Sequence, residues 1–385
     1  MSLRVLVADD SILFRRVIAE VLRREPDVEV VGSVGNGKLA LQRVQELKPD
    51  LLTLDLEMPE MDGLAVLEAL RRSNDPMKVV VISSLTPRGG KMTMRALDLG
   101  AFDFITKPDA GSADASREAI RAELSPIVRM LKHQLSMRAI LRRPTSGPTA
   151  AAPAPAPTPA AARSPAPAKP LSPQPVSMRS LLSTGGGGGQ RPAELVLIGV
   201  STGGPKALMT LLPELPGDLG APVLIVQHMP PVFTASLASS LGERCALKVV
   251  EAAHGDRVAA NTVYIAPGGR QMGVAGGGAE GLTVRISDDP PENNCRPAVD
   301  FLFRSVSQRF AGRSVATILT GMGDDGARGL QLLKPQGCLI LAQDEASSVV
   351  FGMPRAAVEA GVVDEVLPLA KIASRITAAV RSRHA

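Results

Sequence analysis

The 385-residue chain carries 43 Lys and Arg against 38 Asp and Glu, a net charge of +5, with 45% hydrophobic and 21% charged residues. That length exceeds the roughly 250 residues at which one core stops growing, so two or three domains fit, and the composition excludes collagen-like or wholly disordered chains. Aromatics at 2%, with no Trp and one Tyr, argue against stacked-ring platforms for nucleic acid, and Arg138, Arg142, Arg143, Arg381 and Arg383 read as solvated helix ends.

The first residues, MSLRVLVADD, reach two aspartates before an apolar leader could form, and no run of about 18 apolar residues follows. The expected location is the cytoplasm, without membrane insertion. Apolar runs LRVLVAD, VEVVGSV, DLLTLDL, KVVVISS and FDFITK alternate with amphipathic segments such as SILFRRVIAEVLRRE. This alternation predicts a parallel sheet covered on both faces, a doubly wound domain over residues 1–124. Its last helix starts near Ser116 and runs past Leu124 toward Arg143, so residues 125–192 comprise an interdomain helix and a linker. From Pro144 to Pro192 the chain turns to Pro, Ala, Ser and Gly, stiff in APAPAPTPA and flexible from Gly185 to Gly189.

Beyond the linker, ELVLIGVS, PVLIVQH, LKVVEAA, TVYIAP, LTVRIS, SVATILTGMG and CLILAQD predict a second, larger domain over residues 193–385. A hairpin-like excursion is expected between Leu247 and Asp288, where helical pattern is scarce. The fold class is α/β: two doubly wound parallel-sheet domains joined by a linker. Cys245, Cys295 and Cys338 are odd in number, widely spaced and without CxxC, which suggests neither a disulfide framework nor a zinc site.

In a doubly wound sheet the site lies at the carboxyl ends of the strands. Asp9 and Asp10 end the first strand of the N-terminal domain, Asp55 the third, Ser83 the fourth and Lys107, followed by Pro108, the fifth. Converging carboxylates repel unless a cation joins them, and hard oxygen ligands favour Mg²⁺. Lys107 is placed to neutralise a phosphoryl oxygen. One strand-end aspartate reads equally well as a helix N-cap, but five such groups at one edge do not. Asp9, Asp10, Asp55, Ser83, Phe104 and Lys107, with MP at Met58 and DG at Asp62, resemble response-regulator receiver domains, which have a flavodoxin-like fold. The resemblance implies that Asp55 accepts a phosphoryl group and that Mg²⁺ is held by Asp9, Asp10, Asp55 and the Glu57 carbonyl. It also implies that Ser83 and Phe104 report the change.

In the second domain, IGVSTGGP places Ser201 at a strand-to-helix turn in GxSxG spacing, the pattern of a nucleophile elbow, although Gly-rich turns of this kind also bind phosphates. A serine hydroxyl needs a base, and the histidines are His133, His228, His254 and His384. His228 ends the strand VLIVQH one βα unit from Ser201, while His254, in the turn AAHGD, competes. A carboxylate should hold the imidazole, and TGMGDDG supplies Asp324 and Asp325 without a way to choose between them.

GVSTGG, QHMP and GMGDDG, supported by YIAPGG, CRPAVDFLF and QDEASSVVFGMPRAA, resemble the catalytic domain of the chemotaxis protein-glutamate methylesterases, the CheB family, over about residues 193–385. The resemblance implies a Rossmann-like hydrolase with Ser201 as nucleophile, His228 as base and Asp325 as the third member. It places the Met322 N–H in the oxyanion hole with Thr202 beside the nucleophile. One departure is Gln271, where many members carry histidine. The implied activity is removal of methyl esters from receptor glutamates, with deamidation of receptor glutamines. The implied partners are methyl-accepting chemoreceptors and a chemotaxis histidine kinase. Mg²⁺ serves the receiver and no cofactor serves the hydrolase; no nucleic acid is expected, and the expected form is a monomer. A DNA-binding output would be small and helical, unlike this strand-rich domain. A silent adaptor would not need Ser201, His228 and Asp325, and a nucleotide site would need a GK[ST] ending or GxGxxG spacing.

Overall fold

The computed structural model describes residues 2–73, 75–108, 112–141, 193–276 and 281–381. The expected linker through 142–192, Arg142, Arg143, Arg383, His384 and the side chains of His133 and Arg138 lie outside the described residues.

The N-terminal domain runs β1 (Leu3–Ala8), α1 (Ile12–Arg23), β2 (Val28–Val34), α2 (Gly37–Leu47), β3 (Leu51–Asp55), α3 (Gly63–Ser73), β4 (Lys78–Ser84), α4 (Pro87–Asp98), β5 (Asp103–Lys107) and α5 (Ala113–Leu141). The strands pair in parallel in the order β2-β1-β3-β4-β5. Every residue of β3 is buried, which explains its unbroken apolar run: a central strand covered by helices on both faces has no solvent side. Helix α1 begins where the Ser11 hydroxyl accepts from Phe14 N–H, and it buries Val17, Ile18, Val21 and Leu22 on one stripe.

The second domain runs β6 (Leu195–Val200), α6 (Gly204–Leu211), β7 (Val223–Gln227), α7 (Phe233–Gly242), β8 (Lys248–Glu251), β9 (Thr262–Ile265), β10 (Gln271–Gly276), β11 (Leu282–Ser287), α8 (Val299–Arg309), β12 (Ser314–Ile318), α9 (Ala327–Leu333), β13 (Leu339–Gln343), α10 (Met353–Glu359), β14 (Glu365–Leu367) and α11 (Leu369–Arg381). Seven strands form one parallel sheet in the order β14-β13-β12-β6-β7-β9-β8. The chain winds outward from β6 on one side and returns to β12 on the other, so the switch point that places ligand sites in such sheets lies at the carboxyl ends of β6, β7 and β12. The hairpin is narrower than the sequence suggests. Only β10 and β11 pair antiparallel, whereas β8 and β9 join the main sheet in parallel without a helix between them.

The two domains touch through α4 and β5 on one side and α6 and α7 on the other. The Phe104 and Phe233 rings lie 4.7 Å apart, and Asp98 accepts from Arg244 Nη1 at 2.9 Å. A Cβ at Gly90 would come within 2.4 Å of Ser236 Oγ, so any larger residue there would have to displace that hydroxyl where α4 meets α7. An aromatic pair contributes about 0.5–1.5 kcal/mol and a half-exposed ion pair about 0–1, beside the apolar packing of α4 on α7.

Candidate functional site

The turn after β6 is built by close approach. Gly203, at φ 73°, caps α6, and a Cβ there would sit 2.5 Å from Val349 Cβ; one at Gly204 would sit 2.0 Å from Gln227 Oε1. Gln227 Nε2 donates to the Ser201 carbonyl at 2.9 Å and the His228 carbonyl at 3.0 Å, and Ser201 N–H donates to the Thr320 carbonyl. Three strand ends are thus tied together. Val200 and Gln227 are register partners on β6 and β7, so the residues that follow them, Ser201 and His228, leave the sheet side by side.

His228 Nε2 lies 2.7 Å from Asp325 Oδ2. Asp325 also accepts from Val299 N–H at 2.7 Å, Asp300 N–H at 3.0 Å and Asn293 Nδ2 at 2.8 Å, so its carboxylate sits at the N-terminus of α8 with both oxygens engaged. Burial raises its pKa, but His228 and the two backbone donors outweigh burial and hold it below the usual carboxylate range. Asp324, the other candidate, is exposed. His254 faces the Ile286 backbone at the base of the hairpin.

Burial lowers the His228 pKa, yet the Asp325 hydrogen bond and the Cys295 contact together push it up to about 9. The nitrogen left over from Asp325, Nδ1, lies 3.5 Å from Cys295 Sγ. Ser201 Oγ has no hydrogen-bond partner among the described residues. The N–H groups of Thr202 and Met322 make no hydrogen bond among them either, leaving two donors free beside the serine. Gly203 N–H, by contrast, donates to the Asp103 carboxylate of the other domain.

In the N-terminal domain, Asp9, Asp10 and Asp55 each bring a carboxylate oxygen within 4.8 Å of the others. Lys107 Nζ lies 2.7 Å from Asp55 Oδ2 and 3.1 Å from Asp9 Oδ2. Burial and the Asp9 charge push Asp55 up to about 6, with Lys107 opposing, and burial raises Asp9 as well. Asp9 Oδ2 is buried and meets only the Lys107 ammonium, without a well-aligned hydrogen bond, so it keeps capacity for a hard divalent cation. Ser83 Oγ donates to the Gly89 carbonyl at 3.2 Å and receives from Thr93 at 2.7 Å, so it is tied to α4.

Comparison with known proteins places both halves. The CheB methylesterase family model matches residues 196–376 and the response regulator receiver domain model matches residues 5–115. The chain is 46% identical over 382 residues to a protein-glutamate methylesterase/protein-glutamine glutaminase of Desulfotalea psychrophila, covering 99% of each chain. It belongs to the CheB methylesterase family. It is also 43% identical to the protein of the same name from a Nocardioides species, covering 97% of this chain and 94% of that one. Against the catalytic domain of Thermotoga maritima CheB it shows 40% identity over 48% of this chain and 97% of that one, at a TM-score of 0.47. A receiver domain is phosphorylated by a partner kinase in an Mg²⁺-dependent reaction.

The structure brings Ser201, His228 and Asp325 of this CheB-family chain to one rim, with Thr202 and Met322 beside them. It brings Asp9, Asp10, Asp55 and Lys107 to another, with Glu57 N–H on Asp55 Oδ1 at 3.3 Å. Sequence reasoning missed Asn293, Cys295 and Asp300 around His228 and Asp325, and Asp103 at the domain contact. The polar string preceding AVDFLF carries Asn293 and Cys295, and Asp300 lies within AVDFLF itself. Gln271 is fully buried, accepting from Ala298 N–H and donating to the Pro290 and Cys295 carbonyls, so it shapes the loop that carries Cys295.

Proposed function

We propose that the chain is a protein-glutamate methylesterase and protein-glutamine glutaminase whose activity is set by phosphorylation of its receiver. Residues 1–124 form the receiver, 125–192 the interdomain helix and linker, and 193–385 the catalytic domain. Ser201 attacks a glutamyl methyl ester on a chemoreceptor while His228 takes its proton. The oxyanion is met by the Thr202 and Met322 N–H groups, methanol leaves with the proton from His228, and water then frees the glutamate. Receptor glutamines follow the same acyl-enzyme route, with ammonia leaving. No cofactor takes part in this chemistry.

The observation that carries this reading is the 2.7 Å pairing of His228 with Asp325 beside the elbow of Ser201. Turnover requires His228 Nδ1 to exchange Cys295 Sγ for Ser201 Oγ and to lose its proton; hydrogen bonds of this kind commonly tighten only with substrate bound. The Asp103 contact with Gly203 supports a resting state in which the receiver holds the Ser201 turn.

At the receiver, Asp55 accepts a phosphoryl group from a chemotaxis histidine kinase. Asp9, Asp10 and Asp55 would hold Mg²⁺ with the Glu57 carbonyl, and when bound it neutralises charge on the phosphoryl oxygens. Lys107 would neutralise a further oxygen. Ser83 would leave α4 for the phosphoryl group, loosening α4 and Phe104 from α7. The protein acts as a cytoplasmic monomer, without nucleic acid. The reading is tested by methanol release from methylated receptor membranes. Ser201→Ala and His228→Gln should each lower the rate by about 10³- to 10⁶-fold; near wild-type release from either variant removes the proposal.

A further inference from the structure

Cys295 occupies a position that the esterase chemistry leaves unused. Its thiol lies against the imidazole nitrogen that Asp325 does not hold, so Cys295, His228 and Asp325 form a row of nucleophile, base and orienting acid alongside Ser201. The loop that presents it is built for that placement. Asn293 and Asn294 adopt φ of 52° and 59°, Glu292 and Cys295 exchange both backbone hydrogen bonds, and Asn293 bonds the Asp325 and Asp300 carboxylates. Cys295 is half-buried, between exposed Asn294 and Arg296. The other two thiols differ: burial pushes Cys245 and Cys338 up to about 11, and neither meets an imidazole among the described residues.

We propose that Cys295 is a site of reversible oxidation by hydroperoxides, and that its sulfenic acid silences the hydrolase by occupying His228. A cysteine sulfur against an imidazole in a partly open cleft is the environment in which cysteines react, since the imidazole can take the thiol proton as the sulfur attacks. The Cys295 sulfur attacks one peroxide oxygen, forming the S–O bond as the O–O bond breaks. The sulfur loses two electrons, which the peroxide gains, and the departing hydroxide takes the imidazolium proton and leaves as water. The product hydroxyl keeps His228 Nδ1 from Ser201. A small thiol reverses the step, first forming a mixed disulfide with loss of water and then releasing Cys295 by a second exchange. The silencing rests on the esterase reading; the oxidation does not.

The test treats the full chain with hydrogen peroxide, then with a dimedone-type sulfenic-acid probe, and locates the adduct by mass spectrometry. Methanol release is followed in parallel on wild type, Cys295→Ser and Cys295→Ala, each relative to its own untreated rate. The expected result is probe on Cys295 in excess over Cys245 and Cys338, and a wild-type rate that falls more than about tenfold and returns with dithiothreitol. Both variants should keep their own untreated rates. Probe absent from Cys295, or equal loss of activity in the Cys295 variants, overturns the proposal. Probe on Cys295 without methanol release from any untreated protein would instead tell against the esterase reading.

Discussion

The Asp103 carboxylate, at the start of the last receiver strand, accepts a hydrogen bond from the N–H of Gly203, two residues after Ser201. Asp103 also accepts from its neighbour Phe104 at 2.9 Å, and burial pushes it up to about 7 although both donors lower it. One side chain therefore couples the receiver to the backbone of the nucleophile turn. A hydrogen bond to a charged group contributes about 1.5–3 kcal/mol, so Asp103→Ala should raise methanol release without phosphodonor by up to roughly 10- to 150-fold. An unchanged basal rate in a variant with a wild-type melting profile would show that the contact does not restrain the turn.

The His228 environment sets a pH signature. A base held up to about 9 is mostly protonated at neutral pH, so the basal rate of the unphosphorylated enzyme should climb as pH rises toward 9. Removing the Cys295 contact, one of the causes of the raised value, should move that profile to lower pH in Cys295→Ala. Asp325→Asn should cost about 10⁴-fold in kcat by leaving the imidazole without its partner. A flat basal profile between pH 6 and 9 would contradict this assignment of the base.

The proposed phosphorylation site, Asp55, makes a prediction about stability. Asp55 is pushed up to about 6 in the folded chain from an ordinary 3.8, so the folded state binds more protons between those values. Its contribution is therefore fully present below pH 3.8 and is lost as pH rises through about 6. At pH 7 without divalent cations the chain carries a penalty on the order of 1–3 kcal/mol from this group, and Asp55→Asn should relieve it. Mg²⁺ should raise the melting temperature of wild type more than that of Asp55→Asn. Equal shifts in both proteins would remove Asp55 from the cation site.

How much of this was legible in the sequence depended on the range of the signal. The strand ends were readable because continuous apolar runs stop at Asp9, Asp55, Ser201 and His228, and doubly wound sheets collect function at that edge. Asp325 could not be separated from Asp324 by spacing, since the choice is made by Val299 and Asp300 N–H groups at the start of a helix more than 20 residues earlier. The hairpin was overdrawn because the runs in β8 and β9 carry no mark of their parallel pairing. Cys295 and Asp103 stayed hidden because each meets its partner from a distant part of the chain.

In the proposed mechanism Ser83 would link the two sites. Its hydroxyl is held by Gly89 and Thr93 of α4, and α4 packs on α7. Ser83→Ala should therefore still be phosphorylated at Asp55 but gain less esterase activity from it, read as methanol release per phosphorylated chain. An undiminished gain would place the relay elsewhere.

The most direct measurement is methanol release from methylated receptor membranes, with and without a small phosphodonor and Mg²⁺, for wild type, Ser201→Ala and Asp55→Asn. The account predicts release that the phosphodonor accelerates in wild type, a low unstimulated rate in Asp55→Asn and none above background in Ser201→Ala. Release that persists in Ser201→Ala, or phosphodonor stimulation that survives in Asp55→Asn, would contradict it.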